Sequence, residues 1–259
     1  MTPPAGPPLL ALGAGGRATV TLNRPLHLNR LHREDLLALQ DHFARIAADP
    51  GVRVLVLTGS GRAFCAGFHL GELDESEDSA SADPRLFEHT VDALEALAVP
   101  TIARLNGSVF GGATDLALAC DFRIGVPAME LRMPAARLGL HYYASGLRRY
   151  VSRLGLAAAK RLFLLAETVD ADVLLRIGYL DMLVAAERLD AEVDTLAAML
   201  AANAPLAVRG MKQSLNEIAR GGFDPARLRE REAACAASAD LREGLAAFAA
   251  KREPQFNGR

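Results

Sequence analysis

Val52-Arg53-Val54-Leu55-Val56-Leu57-Thr58-Gly59-Ser60-Gly61-Arg62-Ala63-Phe64-Cys65-Ala66-Gly67-Phe68-His69-Leu70 runs a nearly continuous apolar stretch into a glycine-bearing turn. Seven residues rich in Val and Leu predict a strand buried on both faces, and Gly59-Ser60-Gly61 ends it. A second stretch repeats the pattern: Thr101 to Leu105 predicts a strand that enters Asn106-Gly107-Ser108-Val109-Phe110-Gly111-Gly112-Ala113-Thr114-Asp115-Leu116. There the strand gives way to a short helix from Gly112 to Cys120, followed by a strand from Asp121 to Val126.

Working outward, Ala18 to Leu22 alternates as a strand and is ended by Asn23-Arg24-Pro25. Glu34 to Ala48 places Leu36, Leu39, Phe43 and Ile46 at helical spacing, and Asp49-Pro50-Gly51 stops it. A further helix is predicted from Leu86 to Ala98, broken by Pro100, and the acidic, Ser-rich Asp74 to Asp83 predicts a mobile surface loop. Strands alternating with helices give an α/β fold class. After Leu154 the pattern predicts helices only, over 155–166, 171–177, 189–202, 205–220 and 228–250. The expected organisation is a flexible lead-in over 1–17, a core over 18–200 and a helical region over 201–259.

Composition narrows the function classes. A net charge of -2 supplies no basic footprint for nucleic acid or an anionic membrane, and 5% aromatics without Trp supplies no base-stacking surface. No apolar run approaches the roughly 20 residues that span a bilayer. Cys65, Cys120 and Cys235 are odd in number, far apart and without metal-type spacing, so free thiols and a soluble, cytoplasmic protein are expected, with no metal.

Each glycine turn has a plain reading as an ordinary strand-to-helix connection. Each also has a chemical one. A helix N-terminus presents amide N–H groups without internal partners, glycine lets them approach a ligand closely, and two aimed at one oxygen form an oxyanion hole. Neither turn matches a phosphate-binding loop, a dinucleotide fingerprint or a nucleophile elbow.

Taken together, T-L-N-R-P at 21–25, V-L-T-G-S-G-R-A-F-C-A-G at 56–67, N-G-S-V-F-G-G at 106–112, L-A-L-A-C-D-F-R-I at 116–124 and the closing A-F-A-A-K-R-E-P-Q-F-N-G-R at 247–259 resemble the crotonase (enoyl-CoA hydratase/isomerase) superfamily. The resemblance implies a spiral of ββα units with a helical C-terminal region that assembles trimers, or dimers of trimers. It implies an acyl-CoA thioester as ligand, with coenzyme A part of the substrate and no other cofactor. The thioester oxygen would meet the backbone N–H groups of Phe68 and Gly112. Ala66, Gly67, His69, Leu70, Gly111 and Met133 are then expected to line the substrate, and Lys251 to approach the CoA phosphates or remain a solvated lysine.

Hydratases of this family use two Glu side chains to move protons, because adding water to an enoyl thioester needs a base for the water and an acid for the α-carbon. The matching positions here are Asp115, one methylene shorter, and Ala135, which has no titratable group. Asp115 is the expected acid/base, with a helix-capping role as its alternative. His141, Tyr142 and Tyr143 either supply hydroxyl and imidazole groups near the vacated position or fill its space. The resemblance therefore implies an enolate-stabilising hydratase or isomerase. The alternatives are a catalytically silent acyl-CoA-binding protein and a structural subunit of a larger complex.

Overall fold

The computed structural model describes residues 5–69, 71, 83 and 85–259. The expected loop from Asp74 to Asp83 therefore lies, Asp83 apart, outside the described residues.

Six strands form the main sheet, in the order β1 (Leu9–Leu12), β2 (Arg17–Leu22), β3 (Val54–Gly59), β4 (Thr101–Leu105), β6 (Phe122–Gly125) and β9 (Met182–Leu183). A smaller sheet contains β5 (Val109–Phe110), β7 (Glu130–Arg132) and β8 (Thr168–Asp170). From β2 to β9 every neighbouring pair in the main sheet is parallel, with Val56 opposite Ile102 and Ile102 opposite Phe122. Parallel neighbours require crossovers, and these are supplied by α1 (Arg33–Ala48), α2 (Leu86–Ala96) and α3 (Ala113–Ala119).

Burial follows the same logic. β2 alternates, with Ala18, Val20 and Leu22 turned into the core, whereas every residue of β3 is buried because strands flank it and helices cover it. Each winding also contributes an extended segment to the second layer. Leu31 bridges Phe68, Cys65 bridges Val109, and Val109 pairs with Leu131. One strand in the large sheet and one segment in the small layer per crossover make the ββα spiral.

The remaining helices are α4 (Ala144–Lys160), α5 (Ala171–Arg176), α6 (Leu189–Ala202), α7 (Pro205–Ala219), α8 (Pro225–Ala237) and α9 (Ala239–Ala250). The structure departs from four expectations. Leu9–Leu12, taken from its Pro/Gly-rich setting as part of a flexible lead-in, is an antiparallel edge strand paired with β2. The region after Leu154 is not purely helical, since β8 and β9 complete the two sheets; strands of three and two residues leave no periodic signal. The helix expected over 228–250 is two helices, because Ser238 turns extended (ψ 154°) and its hydroxyl caps α9 by accepting from the Leu241 N–H at 3.0 Å. The helix expected from Gly155 begins instead at Ala144, is interrupted at Gly155, and ends in a wide turn over Arg161–Leu165.

Among the described residues no helix is long and apolar enough to cross a membrane. Cys65, Cys120 and Cys235 are free thiols. Burial pushes the first two up to about 12, which keeps them protonated and unreactive.

Candidate active site

The two turns quoted from the sequence lie side by side. The first is fixed by two asparagines: Asn29 Nδ2 donates to the Ala63 and Phe64 carbonyls at 2.9 and 3.2 Å, and Asn106 Nδ2 donates to those of Gly61 and Ala63 at 2.9 and 3.2 Å. Beyond them, Leu31 donates to the Gly67 carbonyl and His69 donates to the Leu31 carbonyl, both at 2.8 Å. In an extended segment the groups of the intervening residue face the opposite way, so the Phe68 N–H points away from Leu31. Gly67 makes this approach possible. Its φ is 91°, and a Cβ there would stand 2.7 Å from the Phe110 carbonyl oxygen and 3.3 Å from the Gly112 nitrogen.

Gly112 is the N-cap of α3, where amides have no partner inside the helix. Among the described residues neither the Phe68 N–H nor the Gly112 N–H meets an acceptor. Both residues line an apolar cavity of about 390 Å³, together with Ala66, Gly67, Gly111, Met133 and Ala135. Two spare amide donors beside an apolar cavity can hold an oxygen that gains negative charge during a reaction.

Asp115 takes an unexpected place. It is fully buried and does not line the cavity; Tyr143 stands between. The Tyr143 hydroxyl donates to Asp115 Oδ2, and Arg149 Nη1 donates to the same oxygen at 2.7 Å. Oδ1 has no partner among the described residues. Burial pushes the Asp115 carboxyl up, against the opposing pull of Arg149 and the Tyr143 hydrogen bond. The fully buried Arg149 also bonds Asp92 Oδ1 at 2.7 Å and Glu95 Oε1 at 3.0 Å, and against the pull of burial the Asp115 and Glu95 carboxylates keep its guanidinium charged. Burial alone would raise Glu95, yet Arg149, Arg153 and Arg220 outweigh it and hold that carboxyl at about 2.

Tyr142 and Tyr143 are stacked with ring centroids 4.4 Å apart, and both face the cavity. Burial pushes both hydroxyls well above the ordinary tyrosine value, aided by the nearby Asp115 charge, so both stay protonated. The half-exposed rim carries His141, whose Nδ1 lies 2.9 Å from the Tyr142 carbonyl. Ala135 is buried in the wall, and no carboxylate replaces it at that point.

Two of the expected residues lie outside the cavity lining of the single chain. His69 stacks on His32 at 4.9 Å and stays out of the cavity lining, because the extended ladder sends alternate side chains to opposite sides. Lys251 ends α9 in a left-handed conformation, exposed and away from the cavity of its own chain. Leu70 lies outside the described residues. Sequence reasoning missed Arg149, Phe87 and Glu88. Arg149 sits in a stretch that departs from the family pattern. The other two lie on α2, whose periodicity speaks only of packing.

A family model described as enoyl-CoA hydratase/isomerase matches residues 14–259. The chain belongs to the enoyl-CoA hydratase/isomerase family. Within it, the chain is 33% identical over 243 residues to a crotonyl-CoA hydratase of Syntrophomonas wolfei, covering 92% of this chain and 94% of that one. It is 32% identical over 251 residues to a 1,2-epoxyphenylacetyl-CoA isomerase of Escherichia coli, covering 94% and 96%. A crystal structure of an enoyl-CoA hydratase from Bacillus anthracis superposes with a TM-score of 0.88 at 27% identity, covering 98% of this chain and all of the other. Lyases and isomerases of this family thus share the crotonase fold and this chain's length, and the chain is an enzyme of that kind.

Proposed function

We propose that the protein processes an enoyl-CoA thioester, holding the thioester oxygen between the Phe68 and Gly112 amides and moving a proton on the resulting enolate. The observation that carries this reading is the pair of acceptor-free amides, braced together by Gly67, at the wall of the apolar cavity. The cavity accepts an acyl chain, and coenzyme A is the carrier to which that chain is attached, so no further cofactor is needed. Phe68 supplies its amide while its ring lies 6.1 Å from that of Phe87, narrowing the acyl site.

Asp115 acts through Tyr143 instead of on the substrate. Its carboxylate is taken up by Arg149 and by the tyrosine hydroxyl, which fixes that hydroxyl at the cavity wall. Trimeric assembly is supported by the apolar side chains that the C-terminal helices leave exposed, among them Met211, Leu215, Leu245 and Phe248. Free cysteines suit a reducing cytoplasm.

The buried Ala135 favours one second reading, an acyl-CoA binder without turnover. Purified protein mixed with α,β- and β,γ-enoyl-CoA thioesters, with the conjugated thioester absorbance followed over time, separates the two. Loss of absorbance from the former or gain from the latter supports catalysis; tight binding with neither supports the binder.

A further inference from the structure

The cavity lacks both carboxylates expected at its reacting end: Ala135 has none to offer, and Asp115 is sealed behind Tyr143 and Arg149. Among the described lining residues, one carboxylate remains, Glu88 in the first turn of α2. It is half-buried and, among the described residues, forms no ion pair that would neutralise it; its Oε1 accepts only a long bond, 3.4 Å, from the Ser145 hydroxyl.

Glu88 also faces the right neighbours. Phe87, next to it in the chain, packs directly over the second turn: a Cβ on Gly112 would lie 2.6 Å from its Cζ. The Phe87 ring is 6.1 Å from those of Phe68 and Tyr143. The contact to Ser145 places the carboxylate beside the start of α4, two residues beyond Tyr143. The first turn of α2 therefore lines the cavity beside the two spare amides and brings one ionisable oxygen pair with it.

We infer that Glu88 is the catalytic carboxylate of this enzyme, carrying the single proton that the reaction moves; the inference rests on the enoyl-CoA reading above. In a double-bond shift, Glu88 takes the α-proton of a β,γ-enoyl thioester. The C–H bond breaks, its electron pair passes into a dienolate whose oxygen lies between the two amides, and an O–H bond forms on Glu88. The carboxyl then returns that proton to the γ-carbon as the pair leaves the oxygen, so the product has the same atoms with the double bond conjugated. In hydration the same group takes a proton from water as the water oxygen adds to the β-carbon, and gives it to the α-carbon. One carboxylate suffices for either, and Glu88 is the one that the described lining residues include.

The test uses the full chain, wild type and Glu88→Gln, with crotonyl-CoA, vinylacetyl-CoA and medium-chain analogues. Deuterium uptake at the α-carbon of butanoyl-CoA, and its affinity by calorimetry, are measured in parallel. The expected result is a loss of kcat of about 10²–10⁴-fold in Glu88→Gln, with KM and butanoyl-CoA affinity within about threefold of wild type, and partial rescue in Glu88→Asp. Wild-type kcat retained in Glu88→Gln overturns the inference alone, as does a loss that Glu88→Asp leaves unrelieved and that weakens butanoyl-CoA binding equally. A wild type with neither turnover nor deuterium uptake overturns the enoyl-CoA reading, and the inference with it.

Discussion

Replacing Arg149 by Met removes the one cation that touches Asp115, Asp92 and Glu95 at once. Arg149 and Asp115 are fully buried, and no other cation is paired with Asp115 among the described residues, so the variant strands a carboxylate out of water. Breaking a buried ion pair from one side costs about 3–5 kcal/mol. Glu95, held at about 2 by Arg149, Arg153 and Arg220 together, loses the Arg149 share of its stabilisation as well. For a chain of this length the loss lowers the melting temperature by about 10 °C. The cost also depends on pH. Glu95 titrates lower in the native protein than in the unfolded chain, so its stabilisation is present above about pH 4.5 and is lost as the pH falls towards 2. Asp115, raised by burial, destabilises when ionised, and without Arg149 it does so more; this penalty vanishes once it is protonated in both states. The gap between wild type and variant should therefore be widest near neutrality and narrow on acidification. Thermal unfolding followed by circular dichroism at several pH values reads this directly, with Asp115→Asn added to Arg149→Met recovering part of the loss. A gap below about 1 kcal/mol at neutral pH, or one that is constant with pH, would refute the reasoning.

Gly67→Ala forces a side chain onto a residue at φ 91° and against the Phe110 carbonyl, displacing the Phe68 amide; kcat should fall about 10²–10³-fold in an enoyl-CoA assay, the cost of losing one oxyanion donor. Tyr143→Phe deletes the hydroxyl that Asp115 holds while Arg149 keeps the carboxylate paired, so activity should drop about tenfold or more with a change in stability of only about 1 kcal/mol, measured by urea titration beside steady-state kinetics. Gly146→Val would drive a side chain into the Tyr142 ring and towards Asp115 Oδ2, which a Cβ alone approaches to 2.9 Å, and should cost about 1–3 kcal/mol of stability. Phe248→Asp charges a side chain that is 86% exposed in the single chain; on the proposed trimeric reading, light scattering should report trimers for the wild type and monomers for the variant.

The frame of the molecule was legible because its signals are strong and local. A run such as Val54 to Leu57 admits few other readings, and the glycine turns after β3 and β4 lie where the sequence places them. The antiparallel strand at Leu9–Leu12 was not legible, since its partner is chosen by the sheet edge and not by its own four residues. The site divides the same way. Phe68 and Gly112 are reached through the resemblance of the two glycine turns to those of the family, and the structure brings these turns side by side. The screening of Asp115 depends on Tyr143 and Arg149, 28 and 34 residues away, and such a contact has no local signature. Glu88 is hidden for a related reason: on a helix whose buried face is Leu86, Val91 and Leu94, a half-exposed Glu reads as surface.

The bracing of the two turns by Gly67 separates what the protein holds from what it does. In the proposed reading the grip on a carbonyl oxygen belongs to main-chain amides, which substitutions at wall positions other than the glycines of the two turns leave in place. The reactive groups of that reading are side chains of other elements, on α2 and at the head of α4. Exchange of Ala135, Tyr143 or Glu88 is therefore expected to alter the reaction while leaving the ligand class in place. A scaffold arranged in this way can be redirected one wall at a time, and libraries confined to those three positions offer the most direct route to new thioester chemistry on this chain.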